Sequence, residues 1–228
     1  MGIILNERQL ERFDSLTEIL LEWNGRFNLT RITDRVEIVV KHYLDSISLL
    51  NYIDPAEQAK VIDVGTGAGI PGLPLKIVRH GIRLSLLDSV RKKLAFAEAA
   101  AQELRLADVS IVHARAEDVG HDKLHREKYD LVVSRAVARL VVLSELCIPL
   151  CKVGGRFAAY KGPDVDDEVA EVEGAMDLLG GEVEAVHRFT LPHSDSQRTL
   201  VIVKKVRHTL RAYPRKAGIP SREPLVRR

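Results

Sequence analysis

Residues 61–72 read Val-Ile-Asp-Val-Gly-Thr-Gly-Ala-Gly-Ile-Pro-Gly, and this stretch decides the fold. A run suited to a buried strand leads directly into closely spaced glycines. Glycine lets the backbone adopt positive φ angles and lets a ligand approach the chain closely. The stretch therefore predicts a strand, a ligand-binding turn and a helix. The alternative is a tight turn whose acidic residues only cap the following helices, and the clustering of glycines and acids favours it less.

On the carboxyl side of this turn, short β-branched runs alternate with helical stretches, as in βαβ units around a mainly parallel sheet. The predicted strands are Val61–Val64, Leu84–Asp88, Ser110–His113, Leu131–Ser134, Phe157–Tyr160, Glu182–Phe189 and Thr199–Val206, and the predicted helices are Arg91–Leu104, Val137–Leu150 and Val165–Leu179. The connection between the last two strands is too short for a parallel crossover, so these strands should pair antiparallel. The sequence predicts an α/β fold with a Rossmann-like, seven-stranded sheet.

Two amphipathic helices are predicted before the first strand. Asn6 is a candidate N-cap with Gln9 three positions later, and Asp34 with Glu37 resembles a second capping box. Apolar residues at helical spacing follow each cap.

The chain is expected to have three parts. These are an N-terminal helical extension packed on the core at 1–58, a core domain at 59–207 and a basic C-terminal tail at 208–228. No apolar run approaches the roughly 20 residues that span a bilayer, and the N-terminus lacks a signal-peptide core. We therefore expect a cytoplasmic protein with no membrane partner.

The glycine-rich turn alone fits two cofactors. Gly67 to Gly72 also satisfies the dinucleotide fingerprint, and Asp88 follows about 20 residues later, where it could hold a ribose of either cofactor. Asp63 at the strand end favours S-adenosylmethionine (AdoMet), because a carboxylate suits a ligand with a positive amino group and would repel a pyrophosphate. The terminal antiparallel pair matches the methyltransferase sheet and is not needed in a dinucleotide domain.

Two later strand ends supply further candidates, because ligands of such sheets lie outside the carboxyl ends of the strands. Ala116 and Glu117 follow the third predicted strand, where they could cover an adenine ring. For Glu117 and Asp118, a capping role at a helix start is an equal alternative. Arg135 follows the fourth strand. A cation at the end of an apolar strand should point into a cleft, so Arg135 is the candidate for substrate positioning.

Cysteine and histidine spacing predicts no metal site. Cys147 and Cys151 lie four apart in an apolar stretch, which predicts one helix face and two buried free thiols without a disulfide. Two cysteines are too few for the three-cysteine cluster of radical AdoMet chemistry. His121 and His125 are also four apart, but two residues on a polar, loop-like segment are more often surface residues than metal ligands.

The C-terminal tail carries most of the excess positive charge. The net charge is only +2, yet Arg198–Arg228 contains ten Lys or Arg residues against one acid. Clustered cations mark nucleic-acid binders, although solvated surface is the other interpretation. Pro214, Gly218 and Pro220 predict an extended path along the surface that contributes little to the core.

Motifs along nearly the whole chain carry a resemblance to one family. They are Trp23-Asn24, Asn28-Leu29-Thr30, His42, Leu44-Asp45-Ser46, 63–75, Leu87-Asp88-Ser89, Arg115-Ala116-Glu117-Asp118, Ser134-Arg135-Ala136-Val137-Ala138, Lys161-Gly162, Arg198, Tyr213-Pro214-Arg215-Lys216, Gly218 and Pro220. On these residues the sequence resembles the bacterial small-subunit ribosomal RNA methyltransferase G family, also called glucose-inhibited division protein B. The extension Val226-Arg227-Arg228 has no counterpart in the pattern.

The resemblance implies AdoMet-dependent methylation of guanine N7 in small-subunit (16S) ribosomal RNA, free or within a ribosomal subunit. It implies cofactor contacts at Gly65, Ile70, Ala116, Glu117 and Arg135, to which the analysis of the turn adds Gly67 and Asp88. The predicted RNA-binding residues are Lys161, Arg198, Arg211, Arg215 and Lys216. No general base is predicted, because guanine N7 carries a lone pair and loses no proton before attack.

Rival functions leave marks that this sequence lacks. An enzyme acting on exocyclic amino groups would carry an Asn/Asp-Pro-Pro-aromatic motif where this chain has Ser134-Arg135-Ala136-Val137. A cytosine C5 methyltransferase needs a nucleophilic cysteine, whereas Cys147 and Cys151 are expected to be buried. A small-molecule methyltransferase is the principal alternative, and an NAD-binding or non-catalytic RNA-binding module is the second. Basic additions rich in Asn, His and Arg favour RNA over a small molecule.

Overall fold

The computed structural model describes residues 2–135 and 138–225. Ala136 and Val137, which belong to the motif after the fourth strand, lie outside the described residues, as does the extension 226–228. The start of the helix predicted at Val137–Leu150 therefore falls outside them as well.

A seven-stranded sheet forms the centre of the molecule, as the sequence predicts. Its strands are β1 Lys60–Val64, β2 Arg83–Asp88, β3 Val109–His113, β4 Tyr129–Arg135, β5 Cys151–Lys161, β6 Gly181–Thr190 and β7 Gln197–Lys205. Their spatial order is β3-β2-β1-β4-β5-β7-β6. The first five strands pair in parallel, and β7 pairs antiparallel with both β5 and β6. This is a Rossmann-like arrangement with the antiparallel terminal pair that the sequence predicts.

Helices cover both faces of the sheet. They are α1 Glu7–Phe27, α2 Arg35–Ile38, α3 Asp45–Ile47, α4 Gly72–Val78, α5 Arg91–Glu103, α6 Ala116–Val119, α7 Leu140–Cys147, α8 Asp166–Leu179 and α9 Ile219–Arg222. In the part of the chain that the structure describes, no helix is long and apolar enough to cross a membrane.

Alternation along the central strands builds two hydrophobic cores. Successive strand residues point to opposite faces, so Val61 of β1 joins one core and Ile62 joins the other. The first core includes α1, α4 and α5, and the second includes α7 and α8. Because α1 shares its core with the sheet, the N-terminal helices have no separate core, and the division of the chain near residue 59 stays a prediction.

The predicted N-terminal caps are present. Asn6 and Gln9 form a capping box at the start of α1, and the Gln9 amide also donates to the carbonyls of Ile77 and Val78 at the end of α4. Asp34 accepts a hydrogen bond from the amide of Glu37 and caps α2. The cap of α1 is thus tied to the helix that follows the glycine-rich turn.

The second N-terminal helix is not uniform. After α2, the residues Val39–Leu44 form a π-helical turn before α3, and Ser48–Asn51 end the run as a 3₁₀ turn. A π-helical turn changes the direction in which the side chains project, and such turns are frequent at functional sites. His42 lies within this turn, and Asp45 follows it directly.

Cys147 and Cys151 are buried free thiols, as predicted, but the reason given from their spacing is wrong. They do not share a helix face, because α7 ends at Cys147, a 3₁₀ turn at Ile148–Leu150 follows, and Cys151 begins β5. Burial raises the pKa of Cys147 well above its usual range and that of Cys151 to about 12. Neither thiol is therefore suited to act as a nucleophile.

The C-terminal tail packs against the core, so the expectation of an extended surface path is wrong. The Arg126 guanidinium donates to the carbonyls of Thr209, Leu210 and Tyr213. Pro214 and Pro220 are buried rather than exposed. These hydrogen bonds satisfy backbone carbonyls that a solvated tail would leave to water, so the tail is part of the folded unit.

Arg215, predicted to bind RNA, instead pairs with a buried acid. Its backbone amide and its guanidinium both donate to the Glu145 carboxylate, with Nη2 2.7 Å from Oε2. Only 1% of the Glu145 side chain is exposed. A buried carboxylate needs a charged partner, so Arg215 has a structural role, and its contact with RNA stays a prediction.

We predict that Arg215→Ala lowers the free energy of unfolding by about 2 to 3 kcal/mol, because removing one partner leaves a buried charge uncompensated. The loss stays below the largest values for such pairs, since the Arg215 amide continues to donate to Glu145. Urea denaturation checks it. Lys216→Ala is the matched control, because Lys216 is exposed and no described residue pairs with it. Equal stability of both variants would contradict a structural role for the pair.

Candidate active site

A cavity of about 560 Å³ opens at the carboxyl ends of β1, β2 and β4. All seven residues predicted to bind the cofactor line it, namely Gly65, Gly67, Ile70, Asp88, Ala116, Glu117 and Arg135. They come from four different strand ends or turns. The fold therefore brings together residues that the sequence spreads over about seventy positions, although their contact with a cofactor stays a prediction.

The glycine-rich turn forms the floor of this cavity. Gly65 and Thr66 donate their amides to the carbonyl of Leu87, which ties the turn to the end of β2. Gly67 has a φ of +57°, and a Cβ built there would meet no atom within 4 Å. The position thus needs glycine for its backbone conformation, and the space beside it belongs to the cavity.

Asp63 is not placed as the sequence analysis expected. Its Oδ2 accepts hydrogen bonds from Thr66 Oγ1 at 2.6 Å and from the Gly72 amide at 2.9 Å, so the carboxylate holds the turn together. Asp63 is fully buried and does not line the cavity. Burial raises its pKa from 3.8 to about 6. Oδ2 of Asp63 therefore has a structural role, while Oδ1 has no hydrogen-bond partner among the described residues, so the pairing of Asp63 with the amino group of a cofactor stays a prediction.

Asp88 presents its carboxylate to the cavity from the end of β2. Oδ2 accepts from the Gly67 amide at 2.9 Å, and Oδ1 accepts from the Val90 amide at 2.8 Å. Each carboxylate oxygen has two lone pairs, so one on each remains for a ligand. Two neighbouring hydroxyls, such as those of a ribose, match this arrangement.

Arg135, at the carboxyl end of β4, is held by the π-helical turn and by Asp45, which follows the turn. Its Nη1 donates to the Lys41 carbonyl at 2.8 Å and to Asp45 Oδ2 at 2.9 Å, and its Nη2 lies 3.1 Å from His42 Nδ1. A guanidinium cannot accept a hydrogen bond, so Nδ1 of His42 must be the acceptor. Nε2 then carries the proton and donates to Thr30 Oγ1 at 3.0 Å.

His42 is neutral in this arrangement. Burial, with a further contribution from the nearby Arg135 charge, lowers the pKa of His42 from 6.5 to about 4. Both ring nitrogens are occupied by hydrogen bonds to Arg135 and Thr30. The imidazole therefore orients its neighbours and is not free to take up a proton from a substrate.

The C-terminal tail completes the cavity from the other side. Glu117 accepts a hydrogen bond from the Gly218 amide at 2.9 Å, and Ser221 of α9 lines the cavity.

His121 Nε2 donates to the Pro214 carbonyl at 2.6 Å, and His125 hydrogen-bonds the Tyr129 hydroxyl. The two histidines thus hold separate partners.

A second cavity of about 380 Å³ adjoins the first and shares His42 and Arg135 with it. The predicted RNA-binding residues Lys161 and Arg198 line this second cavity. Arg211 and Lys216 are exposed on the tail and line neither of the two cavities. The structure therefore groups Lys161 and Arg198 with Arg135 and leaves the tail cations apart.

Sequence reasoning did not assign Thr30, His42, Asp45 and Ser221 to the site. Thr30, His42 and Asp45 stood among the motifs of the family resemblance, which was the one available signal. No local pattern marks Ser221, because its position depends on the docking of the tail.

Comparisons with known proteins match this chain to one family. A family model described as "GidB: rRNA small subunit methyltransferase G" matches residues 9–201. The chain is 46% identical to the ribosomal RNA small subunit methyltransferase G of Desulforamulus reducens, over 99% of this chain and 94% of that protein. It is 48% identical to the protein of the same name from Lactobacillus johnsonii, over 98% of this chain and 95% of that one.

Solved structures share the fold at low sequence identity. A SAM-dependent methyltransferase from Aquifex aeolicus superposes with a TM-score of 0.57 at 19% identity, covering 78% of this chain and 97% of that one. A SAM-dependent O-methyltransferase from Thermotoga maritima gives a TM-score of 0.54 at 19% identity, covering 84% of this chain and 72% of that one. At this identity the likeness extends to the fold alone.

We predict that Gly67→Val abolishes AdoMet binding. A β-branched side chain resists the positive φ at this position and would project into the cavity. Titration calorimetry on folded protein measures the effect. Gly154→Val is the matched control, because Gly154 also has a positive φ with open space around a built Cβ but lies in β5, away from the cavity. Undiminished affinity in Gly67→Val would mean that the turn does not contact the cofactor.

Proposed function

Because this chain belongs to the rRNA small subunit methyltransferase G family, we propose that it methylates N7 of a guanine in the RNA of the small ribosomal subunit. The chain is an AdoMet-dependent methyltransferase by family and by fold. The assignment of methyl transfer to this site rests on one observation, the pair of adjoining cavities. One contains the glycine-rich turn and the Asp88 carboxylate, the other contains cations, and Arg135 lies in both.

The first cavity suits AdoMet. The free lone pairs of Asp88 would accept hydrogen bonds from the two ribose hydroxyls, and Gly67 leaves room for the cofactor beside the turn. Ala116 and Glu117 would cover the adenine ring. When bound, AdoMet supplies an electrophilic methyl group on a sulfonium. The protein's task is then to align the acceptor with that methyl and to exclude water.

The second cavity would receive the acceptor. Guanine N7 attacks with its existing lone pair, so no residue has to remove a proton. The hydrogen bonding of His42 agrees with this requirement, because neither ring nitrogen is free to serve as a base. Arg135 would position the base at the junction of the cavities, where it is held by Asp45 and the Lys41 carbonyl.

Cations near the second cavity favour RNA over a small molecule as substrate. Lys161 and Arg198 line the cavity, where Lys161 also pairs with Glu168 at 2.7 Å and Arg198 lies 3.6 Å from Asp45, and each could contact a phosphate or a base edge. Arg211 and Lys216 are exposed, so we propose them as additional phosphate contacts of a large substrate. A small-molecule methyltransferase would usually enclose its acceptor with apolar additions.

Methyl transfer from labelled AdoMet to unmodified small-subunit RNA and to small subunits tests the function. Mapping of the product identifies the modified base and the preferred substrate. We expect one guanine to be labelled, and we expect 7-deazaguanine at that position to be inert because it lacks the N7 lone pair. Labelling of the 7-deaza substrate would show that another atom accepts the methyl.

A second prediction concerns the tail. Changing Arg211 and Lys216 together to Ala should weaken RNA binding and leave AdoMet affinity unchanged, because neither residue lines the cofactor cavity. Each phosphate contact contributes about 0.7 to the logarithmic salt slope with single-stranded RNA, so the slope should fall by about 1.4.

Filter binding over a range of salt concentrations measures this slope. The double change Arg79→Ala and Arg83→Ala serves as the control, because these residues lie at the end of α4 and the start of β2, where they contact Asp54 and Gln58. An unchanged slope in the tail variant, with normal methylation, would remove the tail from the RNA-binding surface.

A further inference from the structure

The second cavity contains one carboxylate among the described residues that line it. Asp45 lies there with Lys41, Arg135, Lys161 and Arg198. A cavity built only to attract phosphate would gain nothing from a buried negative charge. The hydrogen bond from Arg135 to Oδ2 explains one oxygen of Asp45, and the other oxygen needs an explanation of its own.

One oxygen of this carboxylate has no hydrogen-bond donor. Asp45 Oδ2 accepts from Arg135, but no described residue donates to Oδ1. The nearest cationic nitrogen, Nε of Arg198, is 3.6 Å away, which is too long for a hydrogen bond. Only 5% of the Asp45 side chain is exposed. A buried acceptor without a donor costs free energy, so Oδ1 is a candidate to receive a donor from a ligand.

The segment that bears Asp45 is held rigidly. Its own carbonyl accepts from Ser48 Oγ at 2.6 Å, and the carbonyl of Ser46 accepts from the Tyr160 hydroxyl of β5, also at 2.6 Å. Arg135 fixes the other carboxylate oxygen. The carboxylate therefore keeps one orientation, as recognition of a specific edge requires. Oδ1 itself is buried beside Arg198 Nε, so a base reaches it only when the Arg198 side chain moves aside.

Guanine is the RNA base whose edge matches such an acceptor. Its Watson–Crick edge carries two adjacent donors, the N1–H and the 2-amino group, whereas adenine and cytosine present an acceptor at the corresponding ring nitrogen. Enzymes that modify a base often read this edge by hydrogen bonds. The N7 atom lies on a different edge of the purine, so a contact at N1 and the 2-amino group leaves N7 free to face the methyl donor.

We propose that Asp45 selects the acceptor base, its Oδ1 accepting hydrogen bonds from N1–H and the 2-amino group of guanine in the second cavity. This inference rests on the proposed function, because it assigns the acceptor to the cavity beside the cofactor. Asp45 then has two roles. One oxygen holds Arg135 at the junction, and the other reads the base.

If the second cavity held a phosphate instead of a base, removing the Asp45 charge would have the opposite effect. If the cations held a phosphate, Asp45→Asn would relieve a repulsion and strengthen RNA binding. If Asp45 reads guanine, the same change weakens the reaction. The sign of the effect therefore separates the two ligands.

The experiment combines one protein change with one base change. Wild type and Asp45→Asn are assayed for methyl transfer on small-subunit RNA that carries guanosine or inosine at the mapped position. Inosine keeps N1–H, O6 and N7 but lacks the 2-amino group. Asp54→Asn is the control, because Asp54 is an exposed partner of Arg79 outside both cavities. Circular dichroism and urea denaturation, which do not depend on Arg135 in the cofactor cavity, confirm that each variant is folded.

The losses of kcat/KM caused by Asp45→Asn and by inosine are expected not to add when the two changes are combined. Each single change should lower kcat/KM by about 10- to 100-fold, as expected for loss of a hydrogen bond to a charged group, and the combined change should cost little more than either. Asp54→Asn should behave as wild type on both RNAs.

Three results would overturn the inference. Equal rates of the wild-type protein on guanosine and inosine RNA would do so without any variant. Additive losses would mean that Asp45 acts only by holding Arg135, and tighter RNA binding by Asp45→Asn would mean that the cavity holds a phosphate. Failure of the wild-type protein to methylate guanosine RNA would remove the proposed function as well, so the two failures are distinguishable.

Discussion

The buried Asp63 carboxylate is the constraint on which the site depends. By accepting from Thr66 Oγ1 and from the Gly72 amide, it closes the turn between β1 and α4. A Cβ on Gly72 would lie 2.6 Å from a Leu86 methyl and 3.0 Å from Asp63 Oδ2, so this closure also requires glycine at that position. The closed turn brings the Gly67 amide to Asp88, and that contact aligns the carboxylate that we propose to bind a ribose.

Arg135 has the corresponding role between the two cavities. Arg135 is the last residue of β4, and its three partners are Lys41 and His42 of the π-helical turn and Asp45 at the start of α3. The N-terminal helices therefore contribute directly to the site as well as to the core. A neutral His42 is part of this arrangement, because only an unprotonated Nδ1 can accept from the guanidinium.

The parts of the fold that the sequence predicted are those set by local patterns. Alternating apolar residues marked the strands, glycines marked the turn, and Asn6 with Gln9 marked the start of α1. Boundaries were less accurate: β5 begins at Cys151, six residues before the predicted Phe157, because Gly154 and Gly155 resemble a turn but lie within the strand. Contacts between distant residues were not predictable, since no periodicity connects Glu145 with Arg215 or Thr30 with His42.

The tail shows why charge counted along a sequence overstates the charge available to a ligand. Lys205 is buried and lies 3.2 Å from Glu127, Arg207 pairs with Asp177, and Arg215 pairs with Glu145. These cations stabilise the end of the sheet and the docking of the tail. Because the same tail donates the Gly218 amide to Glu117 and places Ser221 at the first cavity, its folded path matters to the site independently of its charge. A basic tail can thus be read as an RNA-binding element only after its internal ion pairs are subtracted. Among the described residues, that subtraction leaves Arg211 and Lys216 of the predicted RNA contacts without an ion pair, whereas Lys161 pairs with Glu168 at 2.7 Å and Arg198 lies 3.6 Å from Asp45.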